Sequence, residues 1–525
     1  MSSAKPRAKA GSREQWSSQW GFLVAAVGSA VGLGNIWRFP NVAYENGGGA
    51  FMIPYLIALL TAGIPILFLD YALGHRYRGS TPAVFRRISK KFEFLGWWQI
   101  LVCFVIMTYY AVIIAWALRY VFYSVDTSWN NGNRTAETFF FNDFINLSET
   151  PGFSPSPVWN VFLPLAAIWL FVMFIIGRGV AKGVERANKI FLPLLVVLFL
   201  ALVVRALMLP GAVDGLNTLW TPDFEALTSR NVWIQAYAQV FYSLSVAFGI
   251  MLTYSSYLRR RSNLVGTGTT AAFANSSFEL LAGFGVFATL GFLAHQQGTS
   301  VGELEGISGI ALSFVTFPTV ISQMPGGALF GVLFFLSLTL AGITSLISLV
   351  QVVAAGISEK FATSPLRASM LVCVPAATIS LLVFGTSGGL HSLDVVDEYI
   401  NSIGVVLSAI IMCVLVALVG RRLPELQRHL NVVSQVRVVG TWWRVLVGIV
   451  VPLMLTYMFV DSVFHKVVNQ YDSDSYSRVF ESVFGWGAVA VAVIGTIIMT
   501  RIPWDSSVDK FVPLDLDEYE RKESK

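Results

Sequence analysis

Twelve apolar stretches recur along this chain, at about 17–45, 49–75, 94–124, 158–177, 186–209, 232–259, 267–294, 327–357, 367–386, 395–420, 441–463 and 481–502. A helix of about 20 apolar residues crosses a hydrocarbon core about 30 Å thick. No other feature constrains the fold as strongly, since lipid tolerates irregular backbone only where protein or a cavity covers it. The expectation is an all-α polytopic membrane protein. Charged residues make up only 13% of the chain, about half of the roughly 25% usual in soluble domains.

Charge sets the topology. Residues 1–15 carry Lys5, Arg7, Lys9 and Arg13 and read as a cytoplasmic tail. Basic clusters follow the second span (His75, Arg76, Arg78, Arg86, Arg87, Lys90, Lys91), the fourth (Arg178, Lys182, Arg186, Lys189), the sixth (Arg259, Arg260, Arg261) and the tenth (Arg421, Arg422, Arg428). The opposite loops carry Asp126, Asp143, Asp214, Asp223, Glu303, Glu305 and Asp472. The positive-inside bias puts both termini on the cytoplasmic side of a cell (inner or plasma) membrane. The net charge of +5 follows that topology and does not point to nucleic acid. No cleavable leader is expected, because the start is polar and basic and the first apolar run leads to Arg38. Cys103, Cys373 and Cys413 lie inside apolar runs and read as packing residues. The 503–525 tail is mixed in charge and is expected to be solvated.

Two spans are interrupted. Gly28–Asn41 reads G-S-A-V-G-L-G-N-I-W-R-F-P-N. Gly28, Gly32 and Gly34 lower the cost of non-helical backbone, and Pro40 removes a donor. Asn35 and Arg38 bring polar groups to membrane depth. Five spans later, 239–249 reads Q-V-F-Y-S-L-S-V-A-F-G, with Ser243, Ser245 and Gly249 breaking the apolar run. Interrupted spans in corresponding positions of two halves point to a transporter site at a repeat interface.

Gly28–Asn41, with E-N-G-G-G-A-F-M-I-P-Y at Glu45–Tyr55, resembles the neurotransmitter:sodium symporter family, and within it the bacterial LeuT-type amino-acid transporters. The likeness continues through Lys182–Arg186, Leu219–Phe224, 239–257 and Ala341–Ser345, covering roughly 13–420. It implies a LeuT-type fold of 12 transmembrane helices, with a 5+5 inverted repeat and broken helices 1 and 6. The corresponding divisions are a tail at 1–15, repeats at 16–209 and 210–420, two additional helices within 421–502 and a cytoplasmic tail at 503–525.

By the same resemblance two sodium ions are expected. One would be held by Ala30, Asn35, Ser243, Asn275 and the substrate carboxylate, with Ser243 where bacterial relatives often carry Thr. The other would be held by Gly28, Val31, Ala341, Thr344 and Ser345, although Thr344 and Ser345 on their own could simply back-bond within their helix. The substrate would meet Ser29, Ala30, Gly32, Leu33 and Gly34 at the first break, the Tyr110 hydroxyl, and Ser243, Ser245 and Ser345. Backbone N–H groups at the start of a half-helix suit a carboxylate. Ile106, Tyr242, Ala247, Phe248 and Leu349 would form an uncharged side-chain pocket. Monoamine carriers of the family place Asp at the position of Gly32; Gly leaves room for the carboxylate of an α-amino acid. Ala247 replaces a Gly common in relatives and argues against very bulky substrates.

Glu279 is a carboxylate inside the seventh span, and such residues default to function. Chloride-dependent relatives carry Ser there. The resemblance therefore implies chloride-independent transport, with Glu279 as chloride substitute and candidate proton site. Arg38 with Asp397 is the expected outer gate. Arg13 with Glu359, helped by Trp16, Ser256 and Tyr257, is the expected inner one. Gly183 and Pro193 have the spacing that lets the fifth helix unwind in the family, or they mark a plain helix break. Asp70 is expected to support a break.

The expected function is sodium-coupled symport of neutral hydrophobic L-amino acids, of the leucine or methionine type, by alternating access. The partners are an amino-acid substrate, sodium and the bilayer. A proton-coupled permease of the same fold and a non-transporting amino-acid sensor are the alternatives. An enzyme would need a nucleophile or metal cluster, and the five histidines are dispersed.

Overall fold

The computed structural model describes residues 14–130, 134–154, 156–304, 309–504, 508, 511–513 and 515–517. These residues are helical, with two isolated β-bridges and no strand among them. Among the described residues ten helices are long and apolar enough to cross a membrane, and a bent pair makes an eleventh span. The pair is α1 (Gln19–Ala30) and α2 (Leu33–Glu45), bent by 54°. Next come α3 (Gly49–Tyr77), α4 (Lys90–Tyr123), α5 (Trp159–Gly177) and α6 (Val180–Leu207). The expected span at 232–259 consists of two shorter helices, α7 (Arg230–Ser243) and α8 (Ile250–Ser256). The chain continues with α9 (Leu264–Gln297), α10 (Gly327–Lys360), α11 (Pro365–Phe384), α12 (Gly389–Val419), α13 (Thr441–Val468) and α14 (Arg478–Arg501).

Helices α4 and α10 pack along each other at the centre. The outer helices turn apolar side chains outward, among them Leu170, Val197, Leu371, Val460 and Ile494. In water such a surface would aggregate; against lipid tails it costs nothing.

Both interruptions fall where the glycines and serines suggest. Val31 and Gly32 are extended, and the freed N–H groups find new acceptors. The Gly32 N–H donates to Asn35 Oδ1 at 2.8 Å, and the Leu33 N–H donates to the Tyr110 hydroxyl at 3.3 Å. Between α7 and α8 the backbone turns through left-handed conformations at Ser245 (φ 52°), Ala247 (φ 67°) and Gly249 (φ 89°).

The described part of the C-terminal tail is only partly solvated: Val512 is exposed, whereas other residues dock on the helices. Trp504 Nε1 donates to Glu93 Oε1 at 2.5 Å, and Lys360 Nζ lies 2.9 Å from the same oxygen. Arg87 donates to the Val508 carbonyl at 3.2 Å and covers the Phe511 ring at 4.5 Å. Apolar Trp and Phe side chains outweigh the mixed charge of the segment.

Candidate functional site

The two breaks face each other across a cavity of about 570 Å³. Ser29, Ala30, Gly32, Leu33, Gly34 and Asn35 form one wall from the α1–α2 break. Tyr242, Ser243, Ser245 and Phe248 come from the α7–α8 break, Ile106 and Tyr110 from α4, and Ser345 and Leu349 from α10. Every expected substrate contact therefore lines this cavity except Ala247.

Ala247 has a different task. It is fully buried, its N–H donates to Asp70 Oδ2 at 2.9 Å, and its carbonyl accepts from Gln99 and Ser408. A left-handed backbone gripped on both sides leaves its methyl no place in the cavity wall. Ala247 is therefore not among the residues that line the cavity. Asp70, expected only to support a break, holds this one.

The floor of the cavity is small and polar. A Cβ at Gly32 would lie 2.9 Å from Ser345 Oγ and 3.2 Å from the Tyr110 hydroxyl. A Cβ at Gly34 would meet nothing within 4 Å. Ser245 Oγ donates to the Ser29 carbonyl at 3.1 Å, and Ser345 Oγ donates to it at 3.4 Å. These hydroxyls tie α10 and the second break to the first.

Two oxygen clusters border the floor. In one, Asn35 Nδ2 donates to Asn275 Oδ1 at 2.9 Å, and Asn275 Nδ2 donates to Ser243 Oγ, with the Ala30 backbone alongside in the cavity wall. In the other, Thr344 Oγ1 donates to the Ala341 carbonyl at 3.0 Å and the Leu340 carbonyl at 3.2 Å. Thr344 thus does back-bond, and this leaves its oxygen lone pairs free. Val31 sits at the break, its N–H donating to the Val27 carbonyl at 2.7 Å. Neutral carbonyl, amide and hydroxyl oxygens suit a hard alkali cation.

Glu279 lies behind the first cluster, fully buried. Gln239 Nε2 donates to its Oε1 at 2.6 Å, and the Tyr55 hydroxyl donates to its Oε2. Tyr55 also bonds Ser276 Oγ at 2.7 Å.

The cavity extends past Arg38 and Asp397 to Asp394 and Tyr476. Arg38 and Asp397 share this cavity, but no ion pair joins them among the described residues. Arg38 lies over the Tyr242 ring at 4.3 Å instead, and Asp397 Oδ1 accepts from Asn401 Nδ2 at 2.7 Å. The expected outer pair is therefore apart here, each member held by a closer neighbour. Asp394 accepts from the Tyr476 hydroxyl at 2.9 Å. Burial and the nearby Asp394 carboxylate hold that phenol well above its usual range, so it remains a donor.

The other side of the cavity is shut. Trp16 Nε1 donates to the Tyr254 carbonyl at 2.7 Å, and the Trp16 ring meets Phe22, Tyr254 and Tyr257 edge-on. Gln351 Nε2 donates to the Tyr257 hydroxyl at 3.3 Å. Ser256 Oγ donates to the Thr253 carbonyl. Glu359 accepts from the Ser80 N–H at 2.5 Å and pairs with Arg87 at 3.3 Å. Arg13, its expected partner, lies outside the described residues. On α6, Gly183 lets the Ile175 carbonyl come within 2.0 Å of where a Cβ would stand, a packing reason for the glycine.

Gln239, Asn401, Gln99 and Ser408 are polar contacts that sequence reasoning passed over. Asn401 was findable, four residues after Asp397 on one helix face. Gln99 and Ser408 had no local signal, because their partner is a backbone carbonyl on another span.

A family model described as the Sodium:neurotransmitter symporter family matches residues 13–138 and 127–505. The chain belongs to this family. A sodium:neurotransmitter symporter is a transporter and not an enzyme, so this is a sodium-dependent symporter and a multi-pass membrane protein. An uncharacterized sodium-dependent transporter of Methanocaldococcus jannaschii is similar, with 37% identity over 492 residues, 93% of this chain and 98% of that one. A sodium- and chloride-dependent creatine transporter of Homo sapiens is 32% identical over 431 residues, 74% of this symporter and 67% of the relative. The crystal structure of MhsT in complex with L-phenylalanine matches with a TM-score of 0.72 at 29% identity, covering 86% of this chain and 100% of that one. The symporter therefore has the LeuT-type fold.

Proposed function

We propose that this symporter imports neutral hydrophobic L-amino acids, of the leucine or methionine type, together with sodium and without chloride. The observation that carries the reading is the floor of the cavity. Gly32 leaves open the space beside Ser345 and Tyr110, and the α2 N-terminus faces it. The partial positive charge of a half-helix start, beside a phenol, attracts a carboxylate. The walls above are Ile106, Phe248 and Leu349, apolar and uncharged. A solved relative is a complex with L-phenylalanine, in keeping with an amino-acid ligand of this shape.

One sodium sits among Ala30, Asn35, Ser243 and Asn275 and takes the substrate carboxylate as a further ligand. This links ion to cargo. A second sits among Gly28, Val31, Ala341, Thr344 and Ser345 and joins the first break to α10. Glu279 provides the negative charge that an anion would otherwise bring, and proton antiport through it is the corresponding return step. Arg38 closes on Asp397 over the loaded site, and the Trp16 side, with Arg13 and Glu359, opens toward the cytoplasm. The bundle of α1–α2, α3, α7–α8 and α9, the first, second, sixth and seventh spans, rocks against the remaining helices, with both termini on the cytoplasmic face. One methylene in such a pocket is worth about 1–3 kcal/mol, so selectivity among aliphatic side chains is loose.

The test is uptake of labelled leucine, methionine and alanine into proteoliposomes under an inward sodium gradient. Parallel vesicles carry potassium, a proton gradient, or sodium with gluconate. Sodium-dependent accumulation that persists in gluconate is the expected result. Proton-driven uptake without sodium overturns the ion assignment, and sodium-dependent binding without accumulation makes the protein a sensor.

A further inference from the structure

Helices α1, α6 and α10 pack against one another. At their junction lies Asn188, fully buried on α6. Its amide nitrogen donates to the Val184 carbonyl at 2.9 Å. Its carboxamide oxygen has no hydrogen-bond partner among the described residues. Buried carbonyl oxygens are nearly always paired, so an unpaired one needs a physical reason.

The orientation of this oxygen supplies one. A Cβ built on Gly28 would lie 2.4 Å from Asn188 Oδ1 and 3.7 Å from Thr344 Cβ. The missing side chain of Gly28 therefore lets Asn188 Oδ1 of α6 close on the α1 backbone, at a point that Thr344 of α10 also borders. Thr344 spends its hydroxyl hydrogen on its own helix, on the Ala341 carbonyl at 3.0 Å. It has no proton to offer Asn188. Oxygen lone pairs without donors thus gather at one buried place, the donor set of a hard cation.

We propose that Asn188 Oδ1 is a further ligand of the sodium ion held by Gly28, Val31, Ala341, Thr344 and Ser345. The inference rests on the second sodium site of the proposed function. It adds a third helix to a site otherwise built from α1 and α10. Asn188 stands between Gly183 and Pro193, so any loosening of α6 over that interval withdraws a ligand and favours sodium release. Gly28 is glycine for the same reason, since a methyl there displaces the oxygen.

The test uses the full chain purified in detergent, without substrate, so that the site completed by the substrate carboxylate stays incomplete. Binding of radioactive sodium and the sodium dependence of thermal unfolding are read for wild type, Asn188→Ala, Asn188→Asp and Thr344→Ala. Asn188→Ala is expected to raise the half-saturating sodium concentration about tenfold, a typical loss for a metal-site partner. Asn188→Asp, which keeps an oxygen in place and adds charge, is expected to match or exceed wild-type affinity. Thr344→Ala is expected to lose the response. If Asn188→Ala does not fold, Asn188→Thr, whose shorter side chain withdraws from Gly28, is expected to shift the midpoint in the same direction. An unchanged midpoint in Asn188→Ala beside a shifted Thr344→Ala overturns the inference and leaves the site standing. Equal losses in Asn188→Asp and Asn188→Ala assign Asn188 to packing and overturn it too. No shift in any variant, Thr344→Ala included, overturns the sodium site itself.

Discussion

The Ala247 N–H donates to Asp70 Oδ2 at 2.9 Å, across the interior from α3 to the break between α7 and α8. Ala247 stands at φ 67°, where an L side chain costs about 1–2 kcal/mol. A typical intramolecular hydrogen bond contributes about 0.5–1.5 kcal/mol net and offsets much of that strain. The break is therefore a built element, gripped at one residue from α3, α4 and α12.

Removing that grip should loosen the break. Asp70→Ala leaves a buried N–H without an acceptor and should lower stability by roughly 1–3 kcal/mol. Asp70→Asn keeps an acceptor oxygen and should lose less. Ala247→Gly should hold or raise the unfolding temperature, because glycine relieves the left-handed strain. Thermal unfolding in detergent checks all three. A loss in Ala247→Gly as large as that in Asp70→Ala would mean the methyl, and not the backbone, is what matters.

Glu279 can be tested by exchanging its fixed charge for a mobile one. Glu279→Ser opens a space lined by Tyr55, Gln239 and Ser276, all hydrogen-bond donors to an anion. Wild-type uptake should be equal in chloride and gluconate, whereas Glu279→Ser should need chloride. Glu279→Gln fills the space without charge and should be poor in both salts. Chloride stimulation of the wild type would end the substitution argument.

The membrane class, the family and the two breaks were legible in the sequence because each has a local cause. Long apolar runs have one meaning in a bilayer, and Gly28, Gly32 and Ser243 mark unwinding at the residues themselves. The cavity lining followed from the family motif. What failed was orientation. Ala247 lies within the right motif but turns away, because Asp70, Gln99 and Ser408, distant in sequence, fix its backbone. Arg38 and Asp397 were read as an outer gate, which has two states, and the sequence could not show that here Tyr242 and Asn401 are their neighbours. The tail was read from its charge, although Trp504 and Phe511 determine where it packs.

The floor of the cavity gives a third expectation. Tyr110→Phe deletes the oxygen that accepts from the Leu33 N–H and faces the proposed carboxylate. Loss of a hydrogen bond to a charged group, about 1.5–3 kcal/mol, should weaken leucine binding roughly ten- to a hundredfold. Gly32→Asp puts a carboxylate where the substrate carboxylate should lie and should abolish binding. Equilibrium binding of labelled leucine in saturating sodium distinguishes these from loss of fold. Wild-type affinity in Tyr110→Phe would move the carboxylate elsewhere.

The last expectation concerns acid. His429 lies on the helix Leu423–Ser434, outside the spans, with its Nε2 at 2.9 Å from His75 Nδ1. Burial first, then His75, Arg76 and Arg78, hold its imidazole well below the usual histidine range. His75 Nε2 in turn contacts the Arg259 carbonyl at 2.8 Å and Arg78 Nη2 at 3.1 Å, so cationic side chains border the pair. The folded protein keeps His429 neutral where the unfolded chain already binds a proton, below about pH 6.5. The unfolded state then binds more protons, so stability is full above that pH and falls as the pH drops toward the folded value. His429→Gln retains a polar contact for His75 and removes this titration. Its unfolding temperature should therefore fall less than that of wild type between about pH 7.5 and pH 5. Parallel curves for the two proteins would mean that the helix follows the imidazole into water and that burial does not set its charge.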